Sequence, residues 1–194
     1  MNRKSILFQH DRFCCVHISE DDLESIKSFQ IANESGGFLA RYLKEQAWLD
    51  ETHNEARTYL VYDNVTDELV AYFSLKAGFV SINERHFMFR SSFDTEPGVE
   101  LSNFAVNGVY KDNHPNVGRI GMVVFRYFVI PVVKKASEDI GIKIIYIFAL
   151  PYSSLISYYQ SLNFQRLNTL QERIMHARIK PRYDRGCIFM YQML

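Results

Sequence analysis

Two glycines in residues 114–125 (HPNVGRIGMVVF) have the type and spacing that most directly suggest chemistry. Gly118 and Gly121 directly precede a long apolar stretch of helical character, although glycine is among the poorest helix formers. Such glycines either relieve a tight turn or let a ligand approach the bare N–H groups at the positive end of the helix. The second alternative predicts an anion-binding site, while the spacing by itself favours the first.

Nucleophilic and metal chemistry receive little support from the sequence. The cysteines Cys14, Cys15 and Cys187 are odd in number and show no C-x-x-C or Cys/His ligand spacing, which argues against a disulfide framework and a zinc site. The histidines form no H-x-x-x-H pair, and His114 is more typical of a solvated loop than of a ligand contact. We therefore expect reduced, buried thiols and no bound metal.

The composition predicts a single globular domain over residues 1–194, because a 47% hydrophobic fraction can bury a sizeable core. The charges of the 22 basic and 22 acidic residues cancel, so the chain lacks the excess positive charge of a dedicated nucleic-acid binder. A local basic patch is still compatible with this net charge. No apolar window is long enough for a signal peptide or a membrane span. We expect no membrane association and a cytoplasmic location.

The elements that must position the glycine segment follow the order of an α/β domain. Apolar, β-favouring residues predict a strand at residues 12–18, and Ser19 with acidic residues behind it predicts a helix N-cap. Helical spacing of apolar residues predicts a second helix at residues 38–54. Further strands are predicted on either side of a DNVTDE turn within residues 56–82, at 99–107, at 142–150, and in the FQRL and CIFMYQML segments near the C-terminus.

The apolar stretch at residues 119–139 predicts one helix that Pro131 bends or divides and that Gly141 terminates. A helix of this length makes a crossover, so strands 99–107 and 142–150 should pair in parallel. A short Ser-capped helix should then end at Asn163, which tolerates the left-handed conformation. The fold class expected is α/β (α+β): a single mixed, largely antiparallel sheet with a central parallel strand pair, flanked by helices.

Over residues 12–194 this order resembles the GNAT superfamily of N-acetyltransferases. The segment SNFAVNGVY is similar to the fourth strand of that family, which opens beside the acetyl-CoA thioester. The segment NVGRIG stands where the family carries Gln/Arg-x-x-Gly-x-Gly/Ala, a loop whose backbone amides hold the pyrophosphate. The segment SYYQSLNF resembles the FYxxxGF corner, which supplies a tyrosine near the coenzyme sulfur.

The pyrophosphate loop departs from the family pattern in one of two registers. In the first, Asn116 takes the Gln/Arg position, Arg119 stands where the first glycine belongs and Gly121 matches the last. A shift by one residue would let Gly118 supply the first glycine. The loop before it is lengthened by KDNHPN, and at the tyrosine corner Asn163 replaces the usual glycine.

The resemblance implies acetyl-CoA as the acyl donor and two groups of contacts for it. Backbone groups of the fourth strand would bind the thioester carbonyl or the pantetheine arm, namely those of Phe104, Ala105 and Val106. Backbone amides of the loop would bind the pyrophosphate, and the arginine would add a formal positive charge. These amides belong to Val117, Gly118, Arg119, Ile120, Gly121 and Met122.

The resemblance also implies two catalytic side chains. Glu100 matches the position of a glutamate general base, and apolar neighbours on the strand would raise its pKa toward neutrality. An exposed strand glutamate or an ion pair is an equally good interpretation. Tyr159 matches the tyrosine that protonates the departing thiolate. Tyr158 is its rival, because neighbouring helix residues point about 100° apart and only one can face the cleft.

The acceptor amine is not identified by the sequence. In the family, the first two helices and the segment before the last strand shape its site, which here are residues 38–48 and a basic segment. The basic segment could bind an acidic or phosphorylated acceptor, or an aminoacyl-tRNA as in the toxin branch of the family. It could equally be a solvated loop. Its basic residues are Arg173, Arg178, Lys180, Arg182 and Arg185. We expect an N-acetyltransferase, monomeric or homodimeric; the alternatives are a non-catalytic acyl-CoA-binding or protein-interaction module and a toxin-like acetyltransferase of charged tRNA.

Overall fold

The computed structural model describes residues 5–32, 36–87, 90–178 and 186–194. For residues 82–87, 90–94 and 178 it describes the backbone alone. The strands are β1 Ile6–His10, β2 Phe13–His17, β3 Arg57–Asp63, β4 Leu69–Phe87, β5 Arg90–Val106, β6 Ile144–Ala149, β7 Gln165–Arg166 and β8 Ile188–Met193. The helices are α1 Leu23–Lys27, α2 Gly37–Glu45, α3 Ala47–Thr52, α4 Gly108–Asn113, α5 Ile120–Val124, α6 Ile130–Asp139, α7 Ser153–Ser161 and α8 Thr169–Arg178.

The strands form one mixed sheet in the order β1-β2-β3-β4-β5-β6-β8-β7. Strands β1 to β4 pair antiparallel in sequence order, and β6 pairs antiparallel with β8. The pair β5–β6 is parallel, with Gly98 opposite Ile144 and Glu100 opposite Tyr146. The helical crossover between these strands supplies the connection that a parallel pair needs. The expected fold class is therefore confirmed.

The chain divides into two compact units. The first comprises Met1–Lys76 and Ser102–Val132, and the second comprises Ala77–Leu101 and Val133–Leu194. In the first unit, alternate residues of β2, β3 and β4 face helices α1 to α3 and form a buried core that includes Cys14, Ile26, Leu43, Leu60 and Tyr72. The second unit has its own core, built from Val80, Ile144, Tyr146, Leu167, Met175 and Phe189.

A π-helical turn at Phe125–Val129 joins α5 to α6. Pro131 has no N–H to donate and its ring crowds the preceding turn, so the helix cannot run through this point with regular α-helical bonds. The wider turn absorbs the irregularity, and the N–H of Ile130 donates to the carbonyl of Phe125. The expected single distorted element is thus observed. It ends at Asp139, and Gly141 does not adopt a left-handed conformation.

Two elements depart from the sequence-based expectation. Strand β1 was not predicted; its pairing with β2 follows a tight turn in which Asp11 adopts φ 51°. Helix α8 occupies part of the segment expected to be a basic loop, and it is fixed by the buried Met175 and by Glu172, which accepts a hydrogen bond from the N–H of Phe189 at 3.1 Å. The expected serine cap of α7 is wrong, because the helix runs from Ser153 to Ser161 with Tyr152 as its N-cap. Asn163 is left-handed as expected.

A buried carboxylate ties the end of β3 to α4. Asp63 is fully buried and accepts hydrogen bonds from the Tyr110 hydroxyl at 2.6 Å and the Val65 N–H at 2.9 Å, while the Arg12 guanidinium pairs with it. Burial alone would raise the pKa of Asp63, but these hydrogen bonds outweigh it and the pKa is lowered. The ionised carboxylate is therefore part of the folded state.

We expect Asp63→Asn to lower the free energy of unfolding by about 2 kcal/mol at neutral pH, because Arg12 and Tyr110 lose a charged acceptor. The folded pKa lies below the value of about 3.9 of an unfolded aspartate. The contribution is therefore complete above about pH 4 and is lost as the pH falls through the folded pKa. Urea denaturation at several pH values measures this. The exposed Asp139→Asn is the control, and a difference from wild type that stays constant with acidification would contradict the assignment.

Candidate functional site

A cleft of about 600 Å³ lies in the first unit, between the end of β5, helix α4 and the loop that leads into α5. The volume is in the range of clefts that bind small molecules and cofactors. Six of the residues expected to bind coenzyme line it. Three further residues were not expected: two come from α4, and Pro115 follows that helix. The lining is Val106, Lys111, Asp112, Pro115, Val117, Gly118, Arg119, Ile120 and Gly121.

Arg119 is the N-cap of α5 and adopts the left-handed conformation, with φ 54° and ψ 32°. Glycine adopts this conformation at least cost, whereas an L-residue such as arginine pays a penalty there. No glycine in the described part of the chain has a positive φ, so Gly118 is not the left-handed residue. The backbone therefore favours the register in which Arg119 stands at the first glycine position of the loop motif and Gly121 at the last.

The loop that lines the cleft leads into the start of α5, where backbone N–H groups lack a helical acceptor. The N–H groups of Met122 and Val123 donate to the carbonyl of Arg119 at 2.9 and 3.1 Å. The N–H groups of Arg119, Ile120 and Gly121 precede them, at a helix start where no carbonyl of the helix can accept. These donors and the partial positive charge of the helix end favour an anionic ligand.

The remaining coenzyme candidates lie on or near the same elements. Along β5, Phe104 and Val106 are half-buried, whereas Ala105 points to the opposite face of the strand and is buried in the core of the first unit. Ala105 can thus offer only its backbone to a ligand. Met122 is half-buried, one turn into α5, and is not among the residues that line the cleft.

Glu100 is half-buried on β5 in the second unit, directly opposite Tyr146 on β6. The aromatic ring of Tyr146 lies beside Gly98, where a Cβ would be 3.4 Å from Cδ1 of the ring. Glu100 follows two residues later on the same face of β5. Burial raises the pKa of Tyr146, and the negative charge of Glu100 raises it further. A protonated phenol thus accompanies the candidate base, a neighbour that was not predicted.

Gly78 on β4 accommodates the hydroxyl of the same tyrosine. A Cβ atom at Gly78 would lie 2.0 Å from Oη and 2.9 Å from Cζ of Tyr146. We expect Gly78→Ala to displace the ring and to lower the free energy of unfolding by about 1 to 3 kcal/mol. Thermal denaturation checks this against Gly37→Ala, where a Cβ meets nothing within 4 Å. Adding Tyr146→Phe to Gly78→Ala should recover part of the loss, and strict additivity would argue against the contact.

The two candidate acids on α7 differ in their surroundings. Tyr159 is buried between the rings of Tyr158 and Phe164, with centroid distances of 5.3 and 5.5 Å. Burial, followed by the neighbouring Tyr158, raises the pKa of Tyr159. Burial also raises the pKa of Tyr158 to about 12, and its buried hydroxyl has no hydrogen-bond partner among the described residues. Both phenols stay protonated at neutral pH, and the unpartnered hydroxyl keeps Tyr158 a candidate.

The acceptor region is described in part. Residues 38–48 form most of α2 and the start of α3, where Tyr42 donates to the buried carboxylate of Asp50 at 2.9 Å and Lys76 lies 3.5 Å from the same group. Of the expected basic residues, Arg173 is exposed on α8, the side chain of Arg178 is not described, and the rest lie outside the described residues: Lys180, Arg182 and Arg185.

The described residues contain no group of three or more His, Cys, Asp or Glu side chains placed to hold a metal ion. Among the helices they form, none combines the length and the apolar character needed to cross a membrane. Cys14, Cys15 and Cys187 are buried and form no disulfide within the described residues.

The fold is similar to that of several toxin structures. A Tyr-to-Phe mutant of KacT is 17% identical, with a TM-score of 0.64 over 94% of this chain and 95% of that one. A Tyr-to-Phe mutant of the AtaT toxin, bound to the C-terminus of the antitoxin AtaR and acetyl-CoA, is 17% identical, with a TM-score of 0.60 over 92% of each chain. AtaT complexed with acetyl-methionyl-tRNAfMet is 17% identical, with a TM-score of 0.61 over 91% and 93%.

The TM-scores show a shared fold, and at identities this low the comparisons show the fold alone. The expected GNAT-like fold is thereby confirmed. No protein-family model matches the sequence, and no curated protein matches it significantly.

Proposed function

We propose that the protein is an acetyl-CoA-dependent N-acetyltransferase and that its acceptor is the amino group of an aminoacyl-tRNA. The observation that carries the proposal is the cleft at the start of α5. There Arg119 and backbone amides that have no helical acceptor offer an anion site at the position of the GNAT pyrophosphate loop. The toxins with a similar fold support it, since one structure holds acetyl-CoA and another acetyl-methionyl-tRNAfMet.

In this proposal the chain contributes a proton acceptor and a proton donor. The acceptor amine forms a bond to the thioester carbonyl carbon and loses a proton to Glu100, directly or through water. The carbon–sulfur bond then breaks, and the thiolate takes the proton of Tyr159. A phenol of raised pKa suits the second role because it stays protonated until the thiolate forms. Backbone groups of Phe104, Ala105 and Val106 would hold the thioester carbonyl or the pantetheine arm.

The pyrophosphate is assigned to the loop, from Val117 to Met122. Gly118 tests this assignment without disturbing the fold, because a Cβ there meets no atom within 4 Å and its φ is not positive. We expect Gly118→Ala to leave the melting temperature unchanged or slightly raised. The added methyl group enters the space of the ligand, so the Kd for acetyl-CoA should rise about tenfold, a change of about 1.4 kcal/mol.

The matched control is Gly141→Ala, where a Cβ also meets nothing within 4 Å and which lies outside the cleft. Equal affinities of the two variants for acetyl-CoA, measured by calorimetry, would remove Gly118 from the binding surface. A large loss of thermal stability in Gly118→Ala alone would instead show that the glycine serves the turn.

An aminoacyl-tRNA acceptor implies a cytoplasmic location, because charged tRNA is used in the cytoplasm. The formal net charge of zero does not oppose the assignment, since a local patch can bind a phosphate backbone. Arg173 on α8 belongs to the segment from which such a patch would be built. The oligomeric state, monomer or homodimer, stays a prediction.

The activity is tested by incubating the purified protein with acetyl-CoA and charged or uncharged tRNA, following acetyl transfer and thiol release. We expect transfer to charged tRNA alone, and growth arrest on expression in bacteria that Tyr159→Phe relieves. Turnover of small amines with no transfer to charged tRNA would keep the acetyltransferase and overturn the acceptor.

A non-catalytic acyl-CoA-binding or protein-interaction module is the second candidate. It is favoured by one observation, the arginine in a left-handed position where the loop motif has glycine. Acetyl-CoA binding without transfer to any amine, together with harmless expression, would support this candidate over the enzyme.

A further inference from the structure

Helix α4 places a second cation in the cleft. Lys111 on α4 and Arg119 before α5 both line it, and neither forms an ion pair with another residue in the described part of the chain. Asp112, which also lines the cleft, opposes them with one negative charge. Arg119 lies beside the free amides of the loop, whereas Lys111 comes from a separate element. The cleft therefore offers positive charge from two sources.

The start of α4 is fixed in place by Asn107. The side chain of this N-cap accepts from the N–H of Val109 and of Gln30, each at 3.2 Å, and donates to the carbonyl of Leu69 at 2.8 Å. A Cβ at Gly108 would lie 2.8 Å from the N atom of Ala32, so the backbone approaches its neighbours closely here. The helix thus begins on a rigid support.

The far end of α4 is held by two side chains on either side of the cleft residues. Tyr110 is buried and donates to Asp63 at 2.6 Å, and His114 Nε2 lies 2.6 Å from the carboxylate of Glu68. The rings of Tyr110 and His114 contact each other at a centroid distance of 4.3 Å. The backbone at Lys111 is therefore anchored before and after it, which holds the base of this side chain at the cleft before a ligand binds.

We propose that Lys111 binds the 3′-phosphate of the coenzyme and makes the protein prefer acetyl-CoA over its 3′-dephospho form, an inference that rests on the proposed function. Acetyl-CoA carries two separate anionic groups, the pyrophosphate and the phosphomonoester on the ribose. The loop amides and Arg119 account for the first. A cleft of about 600 Å³ exceeds the needs of a pyrophosphate alone, and the compact ammonium group of a lysine suits a phosphomonoester.

The test is calorimetric titration with acetyl-CoA and with 3′-dephospho-acetyl-CoA. We expect wild type to bind acetyl-CoA about tenfold more tightly, the effect of one charge-assisted contact. Lys111→Ala should abolish this preference by weakening acetyl-CoA alone. Lys44→Ala, which removes an exposed lysine from α2, is the matched control and should keep it. Glu68→Gln should reduce the preference in part, because it loosens the anchor at His114.

Three outcomes distinguish failure of the Lys111 inference from failure of the proposed function. Equal wild-type affinity for the two ligands overturns the inference and leaves the proposed function intact. Equal weakening of both ligands by Lys111→Ala also overturns it, since the lysine would then contact a group common to both. A wild-type protein that binds neither ligand overturns the proposed function itself.

Discussion

Replacing Tyr159 by phenylalanine is expected to lower kcat for acetyl transfer by a factor of about 100 to 1,000, a usual contribution of a general acid, and to leave the Kd for acetyl-CoA unchanged. The variant loses one oxygen atom from a side chain that packs between Tyr158 and Phe164. The fold should persist because the ring remains. Single-turnover kinetics and calorimetry on the same preparation separate the chemical step from binding.

Tyr158→Phe is the matched control, because it makes the same change at the neighbouring residue. Its hydroxyl is buried without a partner among the described residues, so the substitution should stabilise the fold slightly or leave it unaffected. Turnover close to wild type in Tyr158→Phe and a large loss in Tyr159→Phe would support the assignment. The reverse pattern would transfer the role to Tyr158 and shift the motif register by one residue.

Glu100→Gln should lower kcat/KM by a factor of about 100 or more, because the amide keeps the shape of the side chain and cannot accept a proton. The loss should be smallest at high pH, where a larger share of the acceptor amine is already deprotonated. The pH dependence of kcat/KM for wild type and variant measures this. A constant ratio across the whole range would indicate a structural role for the carboxylate.

Glu96→Gln provides the control on the same face of the same strand. Its carboxylate pairs with Lys143 at 2.6 Å in the second unit, so the substitution removes an ion pair that we do not connect with the reaction. Normal kcat/KM in this variant would show that loss of a β5 carboxylate is not in itself harmful. A loss equal to that of Glu100→Gln would contradict the assignment of the base.

Much of the fold follows from local patterns in the sequence. The uninterrupted apolar run that became Ile144–Ala149 identifies a buried central strand, and the two runs around Asp63 and Asp67 identify an antiparallel pair. Ser19 begins its helical turn with a capping box to Asp22, as its position before acidic residues indicates. These features depend on nearby residues alone.

Other elements depend on partners distant in sequence. Strand β1 has little periodicity of its own and owes its state to pairing with β2. Helix α8 is only weakly amphipathic, and its position depends on Met175 in the core and on the bond from Phe189 to Glu172. Residue types within either segment do not encode these contacts, so the sequence predicts neither element.

The candidate site, like the fold, has some features that the sequence predicts and others that it does not. The order of strand, glycine loop and helix locates the cleft, but the left-handed residue is Arg119, a residue type that disfavours that conformation. Tyr146 comes beside Glu100 only through the parallel register of β5 and β6. Lys111 lines the cleft because α4 includes the first three residues of the lengthened loop, Lys111 to Asn113. Such positions require knowledge of register and backbone conformation, which a single sequence does not supply.

Calorimetric titration of the wild-type protein with acetyl-CoA, beside ADP as a control for general anion binding, tests whether the cleft binds the coenzyme. We expect a single site with a micromolar Kd for acetyl-CoA and much weaker binding of the nucleotide. Absence of acetyl-CoA binding, or equal affinity for the two ligands, would contradict it and leave the glycines before α5 as parts of a turn.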